Sequence, residues 1–559
     1  MKKIPYGISD FYLIQTENYY FTDKTKFIEE LENDGLYQMF LRPRRFGKSL
    51  FVAILDAYYN ISYKNDFKKL FGDTYIGKKP TKEQGSYFIL KFDFSIVSIE
   101  DVNDRFTHYI KSKLESFIKS YKLDIELESH PKDTFNNILI YFQNNHTKKL
   151  YILIDEYDHF ANRLLIQDKP NYKGIVTDKT AFFKEFFTML KAGASGNNAP
   201  IKRMFITGVT PMTMYDVTSG FNIGSNISLD TQFHNMVGFT QNEVDELLAY
   251  YKVDIDKYIL KEWYNNYIFS QSIPTPIYNT DMILYFINKF LKENQIPNEM
   301  IDINVRSDYS KLRNIIYTNK KLNGNFDCLR TLIAGNSVSV QNLIQDFSAL
   351  HLEKESNFKS LMFYLGLITI KNREFELNLS IPNETVKRID IDFLDDTLKL
   401  ENIFKLNTDR LENHFKNFAL NGDIEVFKYL AQEIKNSSSI RDYIYKEQHI
   451  KSMYISYLSL VPYYIIKSEA ELNKGFADLY IKPFNNAYIK YFALLEFKYI
   501  KREDKATKTK ITTLAEDAKK QLLTYQDDEL VTKYTKENIT LVKVVLVFHG
   551  WELLYCEVV

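Results

Sequence analysis

The chain has 559 residues, enough for about three or four domains. Its 72 acidic and 72 basic residues cancel, which excludes a global field attracting nucleic acid and leaves local patches for any such contact. Two cysteines far apart in sequence, Cys328 and Cys556, exclude a disulfide framework and a cysteine-based metal cluster.

Residues 1 to about 240 alternate candidate strands, at 37–41, 87–94, 150–154 and 202–207, with helical stretches. That alternation predicts an α/β domain, a mostly parallel sheet with helices on both faces. After Tyr37–Leu41 comes Arg42-Pro43-Arg44-Arg45-Phe46-Gly47-Lys48-Ser49, and then Leu50, Ile54, Leu55 and Tyr58 recur at helical spacing. The back half, Phe46-Gly47-Lys48-Ser49, is that of a phosphate-binding loop. The first glycine of G-x-x-x-x-G-K-[ST] would fall at position 42, where Arg42 stands. The exchange is tolerable if that position needs no positive φ.

In such a loop the backbone from Arg45 to Leu50 turns its N–H groups toward phosphate oxygens, and the helix dipole favours their charge. Lys48 is expected to reach the β- and γ-phosphates of a nucleotide, and the Ser49 hydroxyl to bind Mg²⁺. Arg42, Arg44 and Arg45 either add charge beside the phosphates or hold structural carboxylates.

The apolar run Leu150–Ile154 reads as a strand buried on both faces, ending in Asp155-Glu156. Asp155 is the expected Mg²⁺ partner, and Glu156 the group that orients or deprotonates the attacking water. The strand Arg203–Ile206 ends in Thr207-Gly208. Thr207 either senses a γ-phosphate or closes the strand at a glycine turn.

The small, polar stretch Lys191–Pro200 reads as a loop. From about 241 to 370 the pattern is mainly helical, a lid or a spacer. Gln241–Tyr251 and Tyr278–Phe290 are amphipathic, with Pro274 and Pro276 breaking between them. Phe375–Ile391 looks β-like, with a turn at Pro382-Asn383. Residues from about 400 to 460 return to helix and the last hundred or so to strands. Domain boundaries are expected near 240 and 400.

A second constellation lies near the C-terminus. Leu472–Ile481 reads as a strand entered through Gly475 and carrying Asp478, followed by a turn at Pro483–Asn486. Tyr491–Lys498 is a second strand. Side chains alternate along it, so Glu496 and Lys498 share one face while Leu495 and Phe497 point into the core. If the strands pair, Asp478 comes beside Glu496, and two carboxylates and a lysine converge. That set suits metal-assisted phosphodiester hydrolysis, with Asp478 and Glu496 as hard oxygen ligands for Mg²⁺ and Lys498 orienting water or stabilising charge on phosphate. On the following helix Ala518, Gln521 and Tyr525 share a face, from which Gln521 reaches the site. Glu447, on a candidate helix upstream, and Glu469 and Glu471 are further candidate ligands. Lys501, Arg502, Lys505, Lys508 and Lys510 either contact nucleic-acid phosphates or form a solvated loop.

Taken together, the chain resembles the AAA-ATPase-like proteins of bacteria, several of which carry a C-terminal PD-(D/E)XK nuclease-like domain. The resemblance lies in Ile4–Phe11, Phe21–Thr25, Arg42–Leu50, Ile154–Asp158, Phe205–Val209, Trp263–Asn265, Ile277–Asn279 and Tyr364–Leu367, then Gly475–Asp478, Glu496–Lys498 and Gln521. It implies a P-loop domain over 1–240, a mainly helical region over 241–400 and an α/β restriction-endonuclease-like domain over 401–559. It also implies ATP and Mg²⁺ as cofactors and nucleic acid, DNA foremost, as partner of the C-terminal domain. Arg42 is the residue this family has there. Two departures, Asn266 for a glycine and Thr280 for a proline, are expected not to touch the chemistry.

Two functional readings follow: an ATPase coupled to a nuclease, or a nucleotide-dependent binding or scaffold protein whose nuclease-like domain recognises without cleaving. Homo-oligomerisation stays open. The N-terminal MKKIPYGISD lacks the apolar stretch of a signal peptide, and no apolar run approaches the roughly 20 residues of a membrane span. The expectation is a cytoplasmic protein without membrane contact.

Overall fold

The structure, a computed structural model, describes residues 1–98, 101–145, 147–159, 161–162, 182–217, 223–272, 275–305, 317–318, 321–322, 324–348, 351–472, 475–484 and 488–559. They fall into two compact units, Met1–Ser307 with Val340–Leu377, and Asp308–Ser339 with Asn378–Val559. The helical stretch that begins at residue 241 is shared between them. No helix among the described residues is long and apolar enough to cross a membrane.

The first unit is built on a five-stranded sheet. Its strands are β1 (Tyr37–Leu41), β2 (Tyr87–Asp93), β3 (Lys149–Asp155), β4 (Ile201–Gly208) and β5 (Ser225–Asn226), in the order β2-β3-β4-β1-β5. Every pairing is parallel, so the strands end on one edge. The expected strands match to within a residue or two, and Leu150–Ile154 is buried on both faces as its unbroken apolar run requires. Because β4 lies between β1 and β3, the end of β1, the Asp155 end of β3 and Thr207 on β4 become neighbours. Asp93, at the end of β2, pairs in register with Asp155.

Helix α1 (Lys48–Tyr59) starts directly from the loop after β1. Its N-cap is Gly47 at φ 101°, a backbone state that glycine adopts without strain, and no side chain caps the first turn. The first N–H groups of α1 are therefore left without a side-chain acceptor, the condition for binding an anion.

What fixes the loop is Arg42. Its side chain is fully buried and, among the described residues, meets neither a phosphate-facing surface nor a carboxylate, which corrects both sequence readings of this arginine. Its guanidinium donates to the carbonyls of Leu41 (2.9 Å), Ser228 and Phe233 (3.2 Å), and lies 4.4 Å from the ring centres of both Phe40 and Phe269. Arg42 is not among the positive-φ residues, so the missing glycine costs the backbone nothing. Helix Glu355–Leu365 ends at Gly366 (φ 78°), where a Cβ would stand 2.7 Å from the Pro43 side chain.

Two helices further along this unit, α2 (Gln241–Tyr251) and α3 (Thr280–Glu293), correspond to the amphipathic stretches of the sequence. A capping box of Thr240 and Glu243 starts α2. Asn279 caps α3, so that helix begins two residues later than the apolar spacing indicates. Pro274 lies outside the described residues.

The second unit carries helices α4 (Glu384–Leu400), α5 (Thr408–Asn421), α6 (Glu425–Asn436) and α7 (Glu447–Ser459), then a mixed sheet. The sheet runs β6 (Tyr464–Leu472), β7 (Gly475–Pro483), β8 (Tyr491–Ile500), β9 (Thr540–His549) and β10 (Glu552–Val558), in sequence order. Only β8 and β9 pair in parallel, across the helix α8 (Lys508–Tyr525). Asn473, Lys474 and the turn residues Asn485 and Asn486 lie outside the described residues, as do the side chains of Glu469 and Glu471.

The window Phe375–Ile391 is corrected. Only Leu377–Ser380 is strand. Asn383 is the N-cap of α4, its side chain accepting from the Val386 N–H at 3.1 Å, rather than part of a β-turn. The β-branched residues Thr385, Val386, Ile389 and Ile391 mimic a strand in composition, but burial of Val386, Ile389, Phe393 and Leu394 follows the helical period.

Replacing Arg42 by lysine keeps a charge but loses the planar fork that serves several carbonyls at once. We expect Arg42→Lys to destabilise the first unit by about 2–4 kcal/mol, seen as an earlier urea transition of Trp263 fluorescence in a Trp551→Phe background.

Candidate functional site

At the edge where β1, β3 and β4 end, Lys48 is buried and its ammonium donates to the Arg42 and Pro43 carbonyls, both at 3.0 Å. It lies 3.8 Å from the Glu156 carboxylate. The Ser49 hydroxyl stands close enough to Asp155 to favour its charged form. Asp155 is pushed up to about 6, chiefly by burial. The Ser49 hydroxyl opposes this, Glu156 and Asp93 add to it, and Lys48 again opposes it. Glu156 sits at φ 51°, a left-handed state that is strained for a residue with a Cβ, directly after the strand. Thr207 is fully buried with no partner for its hydroxyl. The expected set Lys48, Ser49, Asp155, Glu156 and Thr207 is therefore brought to one edge.

The remaining loop residues divide by role. Phe46 turns its ring into the core against Tyr267 and Phe269, so only its backbone is left for a ligand. Leu50 is half-buried on α1. Arg45 is exposed at φ 70° and 3.8 Å from Asp281. Asp281 is pushed up to about 6 by burial, which Arg45 partly opposes.

One departure from the family pattern, Thr280, contacts the backbone of this loop. The Thr280 hydroxyl donates to the Phe46 carbonyl at 3.0 Å, beside a second donor to the same oxygen, the Gly238 N–H at 3.0 Å. Asn266 stands at φ 74°, where a glycine would be unstrained and asparagine is among the most tolerant substitutes. Asp158 has a role that its place in the sequence does not disclose. Its fully buried carboxylate accepts from the Val209 and Thr210 N–H groups at 3.1 and 2.8 Å and from Asn162 at 2.6 Å, tying the end of β4 to the end of β3. Gly208 permits this, since a Cβ there would come within 2.6 Å of both Tyr157 and Asp158.

In the second unit, the ladder between β7 and β8 runs from Ile481↔Ala493 to Leu479↔Leu495 and stops. One step on, the Phe497 N–H donates to the Asp478 carboxylate at 2.7 Å instead of to a strand carbonyl. Gly475 opens β7 at φ 152°, where a Cβ would stand 3.1 Å from the Tyr525 hydroxyl, and that hydroxyl donates to the Phe476 carbonyl at 3.0 Å. The parted strands place Asp478 beside Glu496.

Glu496 is buried, with one oxygen 3.0 Å from Lys498 and the other without a partner. Burial first and the neighbouring Asp478 second push it up to about 7, against the pull of Lys498. Lys498 also donates to the Gln521 side chain at 2.7 Å, so Gln521 reaches the site from α8 as its spacing predicts. Leu495 and Phe497 are buried on the opposite face.

The sequence reading missed Lys451. It stands one turn after Glu447 on α7 and bridges Glu447 (2.8 Å) and Asp478 (2.5 Å). The Glu447–Lys451 spacing is legible as a helical i, i+4 pair, but nothing local shows that Asp478 closes on it. Among the described residues no group of three or more histidine, cysteine or acidic side chains is gathered to hold a metal. Asp478 and Glu496 form a two-carboxylate set whose unpartnered, buried Glu496 oxygen fits a hard divalent cation. In the first unit the uncapped start of α1, Lys48 and the Ser49–Asp155 pair fit a nucleotide triphosphate with Mg²⁺.

A parallel sheet with a phosphate loop and a strand-end acid, followed by a mixed sheet with Asp, Glu and Lys at a parting of strands, defines an ATPase-type domain joined to a nuclease-type one. Residues 5–218 match the family described as "Predicted AAA-ATPase", and residues 445–558 match the PD-(D/E)XK nuclease superfamily. The chain thus combines an AAA-ATPase-like domain with a domain of the PD-(D/E)XK nuclease superfamily.

A curated relative, an uncharacterized protein in the vnfD 5′ region of Azotobacter chroococcum mcd 1, is 24% identical over 311 residues, 54% of this chain and 56% of the relative. The match thus spans about half the length of each. Weaker likenesses in chain trace extend to the ORC2 protein of Aeropyrum pernix (9% identity, TM-score 0.34, 70% of this chain and 98% of that one) and Cdc6p from Pyrobaculum aerophilum (10%, 0.26, 69% and 98%).

A buried carboxyl raised to about 6 holds its proton below that pH, and the proton would compete with any Mg²⁺ held by Asp155. Affinity for Mg-ATP should therefore be flat above pH 7 and fall by up to about tenfold per unit below pH 6. Asp155→Asn should bind more weakly and lose this dependence, as read from titrations with a fluorescent ATP analogue between pH 5 and 8.

Proposed function

We propose that the chain binds and hydrolyses ATP and couples this to a metal-dependent nucleic-acid phosphodiesterase acting on DNA. The observation that carries this reading is the convergence of Asp478, Glu496, Lys498 and Gln521 where β7 and β8 part. Asp478 and Glu496 would hold a divalent ion, with Glu447 on α7 as a further ligand. When bound, that ion polarises a phosphoryl oxygen and lowers the pKa of its water. Lys498, held by Gln521 and Glu496, places its ammonium where charge develops on the phosphate.

In the N-terminal domain the N–H groups from Arg45 to Leu50 and the Lys48 ammonium would hold the phosphates. Ser49 and Asp155 would hold Mg²⁺, Glu156 would orient the attacking water, and the Thr207 hydroxyl would read the γ-phosphate. A bound nucleotide would draw the Lys48 ammonium from the Arg42 and Pro43 carbonyls to its phosphate oxygens. In this reading residues 1–240 are the ATPase, 241–400 a lid that responds to its state, and 401–559 the nuclease. Assembly into a homo-oligomer, and action in the cytoplasm, belong to the same proposal.

A second reading is favoured by a different observation. Asp478 is already neutralised by Lys451, and no three-ligand group is gathered among the described residues. The C-terminal domain would then bind nucleic acid or a partner in a nucleotide-dependent way without cleaving.

Cleavage of plasmid, linear and single-stranded substrates with Mg²⁺ or Mn²⁺, with and without ATP, separates the two. Asp478→Ala and Lys498→Ala should each lower cleavage by about 10²–10³-fold while leaving ATP turnover intact. Lys48→Ala should abolish ATP binding and any ATP dependence of cleavage. A wild-type chain that cuts no substrate under any nucleotide condition sinks the first reading. Nucleotide-dependent retention of nucleic acid, lost in Lys48→Ala, would then establish the second.

A further inference from the structure

We propose, on the metal-dependent reading of the C-terminal site, that Lys451 is an internal counter-cation which a divalent ion must displace from Asp478 and Glu447 in order to bind. The site is then held closed to metal by the chain's own ammonium group.

Three observations converge on this. First, the Lys451 side chain is largely buried, and its ammonium lies 2.5 Å from Asp478 and 2.8 Å from Glu447, two of the acids proposed to hold the ion. The position between two carboxylate oxygens is the one an oxygen-seeking cation takes. Second, both oxygens of Asp478 are engaged, one by Lys451 and the other by the Phe497 N–H at 2.7 Å. The backbone bond belongs to the sheet and cannot leave without disturbing β8. The ammonium, on a flexible four-carbon stem, can. Third, Glu496 also feels the Lys451 charge, yet one of its oxygens has no partner. Glu447, Asp478 and Glu496 bring three carboxylates against the two ammonium groups of Lys451 and Lys498.

The alternative is that Lys451 merely positions Asp478. The two roles predict opposite signs. A positioning residue, once removed, loosens a ligand and weakens metal binding. A competing cation, once removed, frees a ligand and strengthens it. Coulomb attraction between charges in partly buried surroundings makes such competition large enough to measure.

The test is a calorimetric titration of the full-length protein with Mn²⁺, the C-terminal binding event being defined as the one that Asp478→Asn abolishes. Lys451→Met removes the ammonium. Lys451→Gln also removes the charge but keeps a hydrogen-bond donor for the two carboxylates, so it carries the test if the methionine variant fails to fold. Both should bind Mn²⁺ about tenfold more tightly than wild type. Detectable binding in the variants alone supports the proposal equally. Equal or weaker affinity in the variants, with an Asp478-dependent event in wild type, overturns displacement and leaves the metal site standing. No Asp478-dependent event in any protein removes the metal-dependent reading and the proposal with it.

Discussion

A phosphate-binding loop has to hold its backbone N–H groups toward empty space, and something else must keep it in shape. Here that constraint is met by the buried Arg42 guanidinium. It gathers the carbonyls of Leu41, Ser228 and Phe233 and is flanked by the rings of Phe40 and Phe269. A buried charge without a carboxylate is costly, and carbonyls offset this at both terminal nitrogens of the guanidinium while its Nε has no partner. Burial lowers the guanidinium only to about 9, which keeps it protonated at neutral pH. Once Arg42 is anchored, the Pro43 and Phe46 carbonyls meet donors from outside the loop's own backbone ladder. Lys48 donates to the first, and Gly238 and Thr280 donate to the second. The N–H groups at the start of α1 are left over by construction.

The C-terminal site solves a related problem with side chains. Two strands that paired to the end would bury Asp478 and Glu496 against each other. The ladder stops at Leu479↔Leu495, and the Asp478 carboxylate takes over the Phe497 N–H. That one bond satisfies a backbone donor and fixes the Asp478 carboxylate. Partners then come from two helices, the Lys451 ammonium of α7 on Asp478 and the Gln521 amide oxygen of α8 accepting from Lys498. The raised Glu496 is the cost of placing an acid where its neighbours are another acid and a core, and such displaced acidities are common where chemistry is done.

Much of this was legible in the chain itself. Strand and helix positions around Lys48, Asp155 and Thr207 follow from apolar runs and glycine placement, because a strand buried on both faces leaves an unmistakable pattern. Glu496, Lys498 and Gln521 were readable because periods of two and of three to four residues dictate which side chains share a face. The same reasoning failed at Phe375–Ile391. There β-branched residues occupy a helix whose packing overrides propensity, and Asn383 starts the helix rather than turning a hairpin.

The sequence by itself determined the chemistry available: a glycine-lysine-serine loop, strand-end acids, and an acid-lysine pair in an apolar strand. Tertiary structure alone decided which of these groups are engaged and by what. It turned Arg42 from a charge near phosphate into the frame of the loop, and placed Thr280 on the Phe46 carbonyl. It also brought Lys451 from its own helix onto Asp478. Each of these contacts joins residues distant in sequence or on different elements. Local periodicity fixes only a side chain's direction from its own helix or strand. What that side chain meets depends on how the elements pack.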